Sequence, residues 1–98
     1  MYSKGSKDPR AMRRVRIKNR VYRGMSREQA EAAEQAREIA THCACCGSVS
    51  PRSVKGWHAD HDHETGRFRA IVCHPCNAYI GVVETHGAMV RRYLEDRT

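Results

Sequence analysis

His58-Ala59-Asp60-His61-Asp62-His63 is the stretch on which the reading of this chain turns. Five titratable side chains in six positions do not make an ordinary packed strand. Upstream lies Cys43-Ala44-Cys45-Cys46, and downstream lies Cys73-His74-Pro75-Cys76-Asn77. On a regular strand His58, Asp60 and Asp62 would face one way and His61 and His63 the other. Convergence on one site therefore requires a bend, and the Glu64-Thr65-Gly66 turn makes one available. Asp60 beside His61 pairs a carboxylate, a ligand for a hard cation, with an imidazole whose ordinary pKa of about 6.5 lets it take a proton from water. A surface His/Asp cluster, or a second metal site without catalytic meaning, is the plainer alternative.

The flanking cysteines form two C-x-x-C pairs, Cys43 with Cys46 and Cys73 with Cys76, separated by 26 residues. Each short loop can place two sulfurs on one ion, so the pairs point to a closed tetrahedral four-cysteine site. Zinc fits best, as an ion without redox chemistry in a structural thiolate shell. Disulfides and a rubredoxin-like iron site are the competing readings. His42 and His74 adjoin the cysteines and could substitute for one. Cys45 is left over and is expected to be a free, buried thiol. Gly47 can adopt a backbone conformation that helps amides reach the sulfurs.

A chain of 98 residues with one Trp and one Phe makes one small domain with a marginal core, which favours a metal staple. No apolar leader and no run of about 20 apolar residues is visible, so the expected setting is cytoplasmic. Thiols stay reduced there. The net charge of +7 is unevenly placed: residues 1–24 hold nine Lys/Arg and one acid, a net of +8, leaving −1 for the other 74. This reads as a flexible basic arm, residues 1–24, ahead of a folded domain, 25–98, with a polyanion as partner. Arg13, Arg14, Arg16, Lys18 and Arg20, on a short helix between Arg10 and Arg20, are the expected DNA contacts, joined by Arg67 and Arg69.

Ser26 and Gln29 fit a capping box opening a helix that runs to Ala40. Ala33, Ala36 and Ala40, flanked by Ile39, make its narrow apolar stripe. Residues 41–56 read as a knuckle and loop, Trp57 to His61 as a strand, and Arg67 to Val72 as a second strand with Phe68, Ala70 and Val72 on one face. Pro75 suits the start of a helix that carries Asn77 to about Val83. A last helix after Gly87 places Met89, Val90, Tyr93 and Leu94 at helical spacing, as core or as a dimer contact, with core preferred. A monomer or a small homodimer is compatible with this pattern.

Taken together, Cys43…Cys46, the His58–His63 run, Gly66, Arg69-Ala70-Ile71-Val72-Cys73, Cys76-Asn77 and Ile80-Gly81 resemble the recombination endonuclease VII group of HNH nucleases, a phage-like type. The match spans 39 of 98 residues, from Cys43 to Gly81. The resemblance implies a small α+β protein with a ββα-metal (HNH, His-Me finger) fold, stapled by the zinc site and flanked by helices. It implies Mg²⁺ or Mn²⁺ held by Asp60 and Asn77, His61 as general base, His63 on the scissile phosphate or leaving group, and His58 as a positioning residue. It further implies a DNA endonuclease leaving 5′-phosphate and 3′-hydroxyl ends. Ala70 stands where the group usually has Gly, and one further helix follows where junction-resolving members carry a long helical extension, so activity on branched DNA is not implied. The alternative is a non-catalytic zinc-containing DNA-binding module, which would need no carboxylate beside a free imidazole.

Overall fold

The computed structural model describes residues 8–97. Helix α1 (Pro9–Tyr22) and helix α2 (Arg27–Ile39) precede strands β1 (His58–His61) and β2 (Phe68–Val72), and helix α3 (His74–Arg97) closes the chain. The result is a small α+β protein with one two-stranded antiparallel sheet.

Local chemistry sets the helix ends. Asp8 caps α1, its carboxylate accepting from the Arg10 amide at 3.1 Å, with Pro9 in the first turn. At the other end Gly24 has φ +116, its amide donates to the Val21 carbonyl at 3.0 Å, and the Met25 amide donates to the Arg20 carbonyl at 3.1 Å. These two bonds are the Schellman closure, with glycine at the left-handed position. Ser26 caps α2 by accepting from the Gln29 amide at 3.1 Å. Only this half of the expected capping box forms: the Gln29 side chain turns to β2 and accepts from the Phe68 amide at 2.7 Å.

The basic arm requires correction over residues 9–22, while residues 1–7 lie outside the described residues. Helix α1 packs on α2, and Ile17 is buried with Met25, Ala30 and Ala33 against Val21, Ala59 and Phe68. The boundary expected at residue 24 therefore runs through a shared core. Buried Glu34 on α2 draws the two helices together: its carboxylate meets Arg16 at 2.7 Å and Arg20 at 2.6 Å. Arg13 pairs with Glu38 at 2.7 Å. The arginine side of α1 that looked like a DNA-binding surface is partly an intramolecular ion-pair seam.

A second cluster gathers Cys43, Val72, Cys73 and Cys76, with Trp57 and Ile80 against it. The apolar stripe expected on α2 is displaced, since Ala30, Ala33 and Glu34 are its buried positions and Ile39 is exposed. In β2 Ile71 is buried as well as Val72.

Helix α3 runs 24 residues without a break, where two helices were expected. Gly87 is tolerated inside it because helical φ and ψ suit glycine at a cost of only about 1 kcal/mol. Met89, Val90, Tyr93 and Leu94, expected in the core, are exposed, because the outer half of α3 runs beyond the layers that could cover it. A helix of this length spans about 36 Å and helps make the molecule 60 Å long. Among the described residues no helix is long and apolar enough to cross a membrane.

Candidate active site and metal centre

The sulfurs of Cys43, Cys46, Cys73 and Cys76 all lie within 4.8 Å of one another. The Cys46 and Cys73 sulfurs are 3.8 Å apart. A tetrahedron with metal–sulfur bonds of about 2.3 Å has sulfur–sulfur edges of about 3.8 Å, so the cluster matches a zinc-sized ion on all-thiolate donors. The knuckle that presents Cys43 and Cys46 is tied to the sheet: the Ala44 amide donates to the Ile71 carbonyl at 3.0 Å, directly before the second pair. Gly47 takes φ +80, and the Cys45 and Cys46 amides approach the Cys43 sulfur at 3.3 and 3.4 Å. Burial by itself would raise the Cys43 thiol. The backbone of Cys46, Cys73 and Cys45 outweighs it and brings the group down to about 6. Burial, then the sulfurs of Cys46, Cys73, Cys45 and Cys43, push Cys76 far up. Four crowded sulfurs cannot all ionise without a cation among them. Cys45 is exposed, correcting its expected burial, although its amide approaches the Cys43 sulfur and its thiol reaches Cys76.

The second feature is a cleft of about 340 Å³ lined by His58, Asp60, His61, His63, Asn77 and Arg23. Strand alternation does not separate the two sides of the motif as a regular strand would. Asp60 pairs with Ala70 and His61 with Phe68, so Arg69 is an extra residue in β2 and the register shifts at this point. Such bulges re-aim side chains beside functional sites. Asp62 is not in the cleft. Its carboxylate caps the β1–β2 turn, accepting from the Glu64 and Thr65 amides at 2.8 and 3.1 Å, which holds it below the usual carboxylate range. Gly66 closes that turn at φ +76, packed beneath the Gly24 carbonyl.

Burial, then the neighbouring His63 ring, lowers the His61 pKa, with Asp60 opposing them. The His61 and His63 rings meet edge to face with centroids 4.7 Å apart. His58 Nε2 lies 3.2 Å from His74 Nδ1, and burial followed by the His74 charge lowers its pKa too. The histidine pair thus runs from the cleft to the second cysteine knuckle.

Arg69 holds Asp60. Its Nε and Nη2 donate to the two carboxylate oxygens at 2.7 and 3.1 Å, while Nη1 donates to Glu84 of α3 at 2.6 Å. Arg69 was expected to face DNA phosphates, but these carboxylates claim its guanidinium. The same holds for Arg16 and Arg20 on Glu34, whereas Arg14, Lys18 and Arg67 are exposed. Asp60 and Asn77 offer oxygen donors in one cleft, a set suited to a hard divalent cation. Arg23 is the lining residue that the sequence reading passed over. It was counted only as arm charge, and nothing local in the sequence marks it, since it reaches the cleft through tertiary packing.

The sequence profile of the recombination endonuclease VII family matches residues 12–96, which takes in most of α1, all of α2, the sheet, the cleft, the four clustered cysteines and nearly all of α3. No curated protein and no solved structure gives a significant match to the chain. With most of its length covered by that profile, the chain belongs to the recombination endonuclease VII family.

Proposed function

We propose that this protein is a DNA endonuclease of the HNH, ββα-metal type, dependent on Mg²⁺ or Mn²⁺ and leaving 5′-phosphate and 3′-hydroxyl ends. The observation that carries the reading is the convergence of Asp60, His61, His63 and Asn77 on one cleft at the β1, β2 and α3 junction, in a member of an endonuclease family. Asp60 and Asn77 would hold the cation, which when bound supplies positive charge opposite the leaving oxygen. His61, biased toward its neutral form, accepts a proton from the attacking water at a ring nitrogen. His63 contacts the phosphate, and His58 keeps the imidazole side of the cleft in place through His74. The four cysteines hold zinc and fix both ends of the motif. Arg14, Lys18 and Arg67 supply phosphate contacts without base readout.

One observation favours the non-catalytic DNA-binding alternative: both Asp60 oxygens are engaged by Arg69. A single-turnover nicking assay on supercoiled plasmid separates the readings. The endonuclease cuts with Mg²⁺ or Mn²⁺ and stops in EDTA, and His61→Ala loses roughly 10²–10⁴ in rate while still binding DNA. A wild-type protein that binds DNA and cuts under neither metal supports the binder.

A further inference from the structure

Arg23 enters the cleft from a part of the chain that carries none of the motif. Its backbone is fixed twice. The Schellman bonds of Gly24 and Met25 close α1 immediately after it, and buried Met25 anchors the turn in the core. Gly66 then packs under the Gly24 carbonyl so closely that any side chain at 66 would collide with it. The end of α1 is thereby clamped onto the β1–β2 turn, and Arg23 is delivered to the same cleft as Asp60, His61 and Asn77. Among the described residues the Arg23 guanidinium has no hydrogen-bond or ion-pair partner, although those of Arg13, Arg16, Arg20 and Arg69 all have one.

Charge accounting gives that free cation a task. The carboxylate of the cleft, Asp60, is already matched by Arg69. The formal charge left uncompensated in the lining is that of Arg23, in a concave site whose remaining side chains are three imidazoles, an amide and the methyl of Ala59. A guanidinium presents a planar fork of donors that suits two oxygens of one phosphate. We infer that Arg23 is the phosphate-binding arginine of the cleft, gripping the DNA phosphate that is cut. The inference rests on the endonuclease reading for the identity of that phosphate, and on geometry alone for the contact.

The test uses the full-length, zinc-loaded protein and three variants, Arg23→Ala, Arg23→Lys and Arg91→Ala. Arg91 is exposed about 21 Å along α3 from Asn77, so its loss removes one charge away from the cleft. Melting curves first establish that each variant is folded. Should Arg23→Ala fail to fold, Arg23→Lys carries the comparison. Anisotropy of a labelled duplex in EDTA reads binding without cutting, and single-turnover nicking at saturating DNA with Mg²⁺ reads the step itself.

Arg23→Ala is expected to weaken duplex binding, flatten the log–log salt slope by about one, and lower the saturating nicking rate roughly 10- to 100-fold. Arg23→Lys should recover the salt slope and only part of the rate, because an ammonium keeps the charge without the fork. Arg91→Ala should match wild type in saturating rate. Equal effects of Arg23→Ala and Arg91→Ala on binding and on rate overturn the assignment, as does an Arg23→Lys rate equal to wild type. If wild type cuts neither plasmid nor a branched duplex, the endonuclease reading fails on its own. Arg23 is then judged by binding: a larger loss for Arg23→Ala than for Arg91→Ala upholds the phosphate contact, and equal losses refute it.

Discussion

Replacing Glu34 should do more to stability than its place on a polar, Ala-rich helix suggests. Its side chain has 0% exposure, and its two oxygens receive Arg16 and Arg20 from α1. Breaking a buried ion pair from one side costs about 3–5 kcal/mol, because the partner charges are left without compensation. Here the arginine side chains keep 33% and 16% exposure and can rehydrate in part, which places Glu34→Ala near the lower end, about 3 kcal/mol. For a domain of this size that is a fall in Tm of roughly 10–20 °C. Glu34→Gln keeps an acceptor oxygen without the charge and should fall about half as far. The pH dependence has a defined sign. Burial works to raise the Glu34 pKa, but the hydrogen bonds and charges of Arg16 and Arg20 prevail and the group lies below its ordinary 4.5. The ionised carboxylate therefore stabilises the fold fully above the unfolded value near 4.5, and the contribution is lost as pH falls through the lower folded value. The assay is circular dichroism melting of wild type, Glu34→Ala and Glu34→Gln from pH 8 downward. The wild-type advantage over Glu34→Gln should be flat from pH 8 to 6 and shrink below pH 4.5. The two proteins share every cysteine, so protonation of the thiolates cancels in the difference. A deficit under about 1 kcal/mol for Glu34→Ala, or one that grows in acid, would refute the ion-pair account.

Cys73→Ser should abolish stoichiometric zinc, read by elemental analysis, and leave a chain that melts without a cooperative transition, since structural zinc contributes on the order of 10 kcal/mol in small modules. Gly66→Ala combines a left-handed backbone with a collision against the Gly24 carbonyl, and should cost about 2–4 kcal/mol in denaturant melts while displacing Arg23 from the cleft. Asp60→Ala and Asn77→Ala should both raise the Mg²⁺ concentration needed for half-maximal nicking, whereas His61→Ala should lower the maximal rate at unchanged metal demand. Removing residues 1–24 takes Ile17 out of the core and two cations from buried Glu34, so the truncated chain should lose several kcal/mol of stability as well as DNA affinity; a truncation that melts like wild type would restore the view of this segment as a detachable arm.

Some of this was legible residue by residue. Two C-x-x-C pairs bracketing a His/Asp run pointed to a four-sulfur site, and the sulfurs do lie together. The β1 and β2 spans, the Ser26 cap and the turn at Gly66 follow from local preferences, which act within a few residues. The α3 stripe misled because helical spacing of Met89, Val90, Tyr93 and Leu94 shows that they share a face but not what lies opposite it. The segment before residue 24 misled in the other direction. Its charge count treated every arginine as free, and no periodicity signals that Glu34, more than ten residues downstream, will be buried between two of them.

By itself the sequence determined the chemistry at hand: thiolates for a soft ion, a carboxylate and an amide for a hard one, imidazoles near neutrality, and basic residues ahead of them. The tertiary structure alone decided their assignment. The register shift at Arg69 turned its guanidinium onto Asp60, and Glu34 claimed Arg16 and Arg20. The packing of Gly24 on Gly66 carried Arg23 to the cleft. The physical reason is that charge–charge contacts act through space at a few ångströms, so which arginine meets a carboxylate and which stays free depends on how helices and strands pack, a long-range outcome that composition and spacing do not encode.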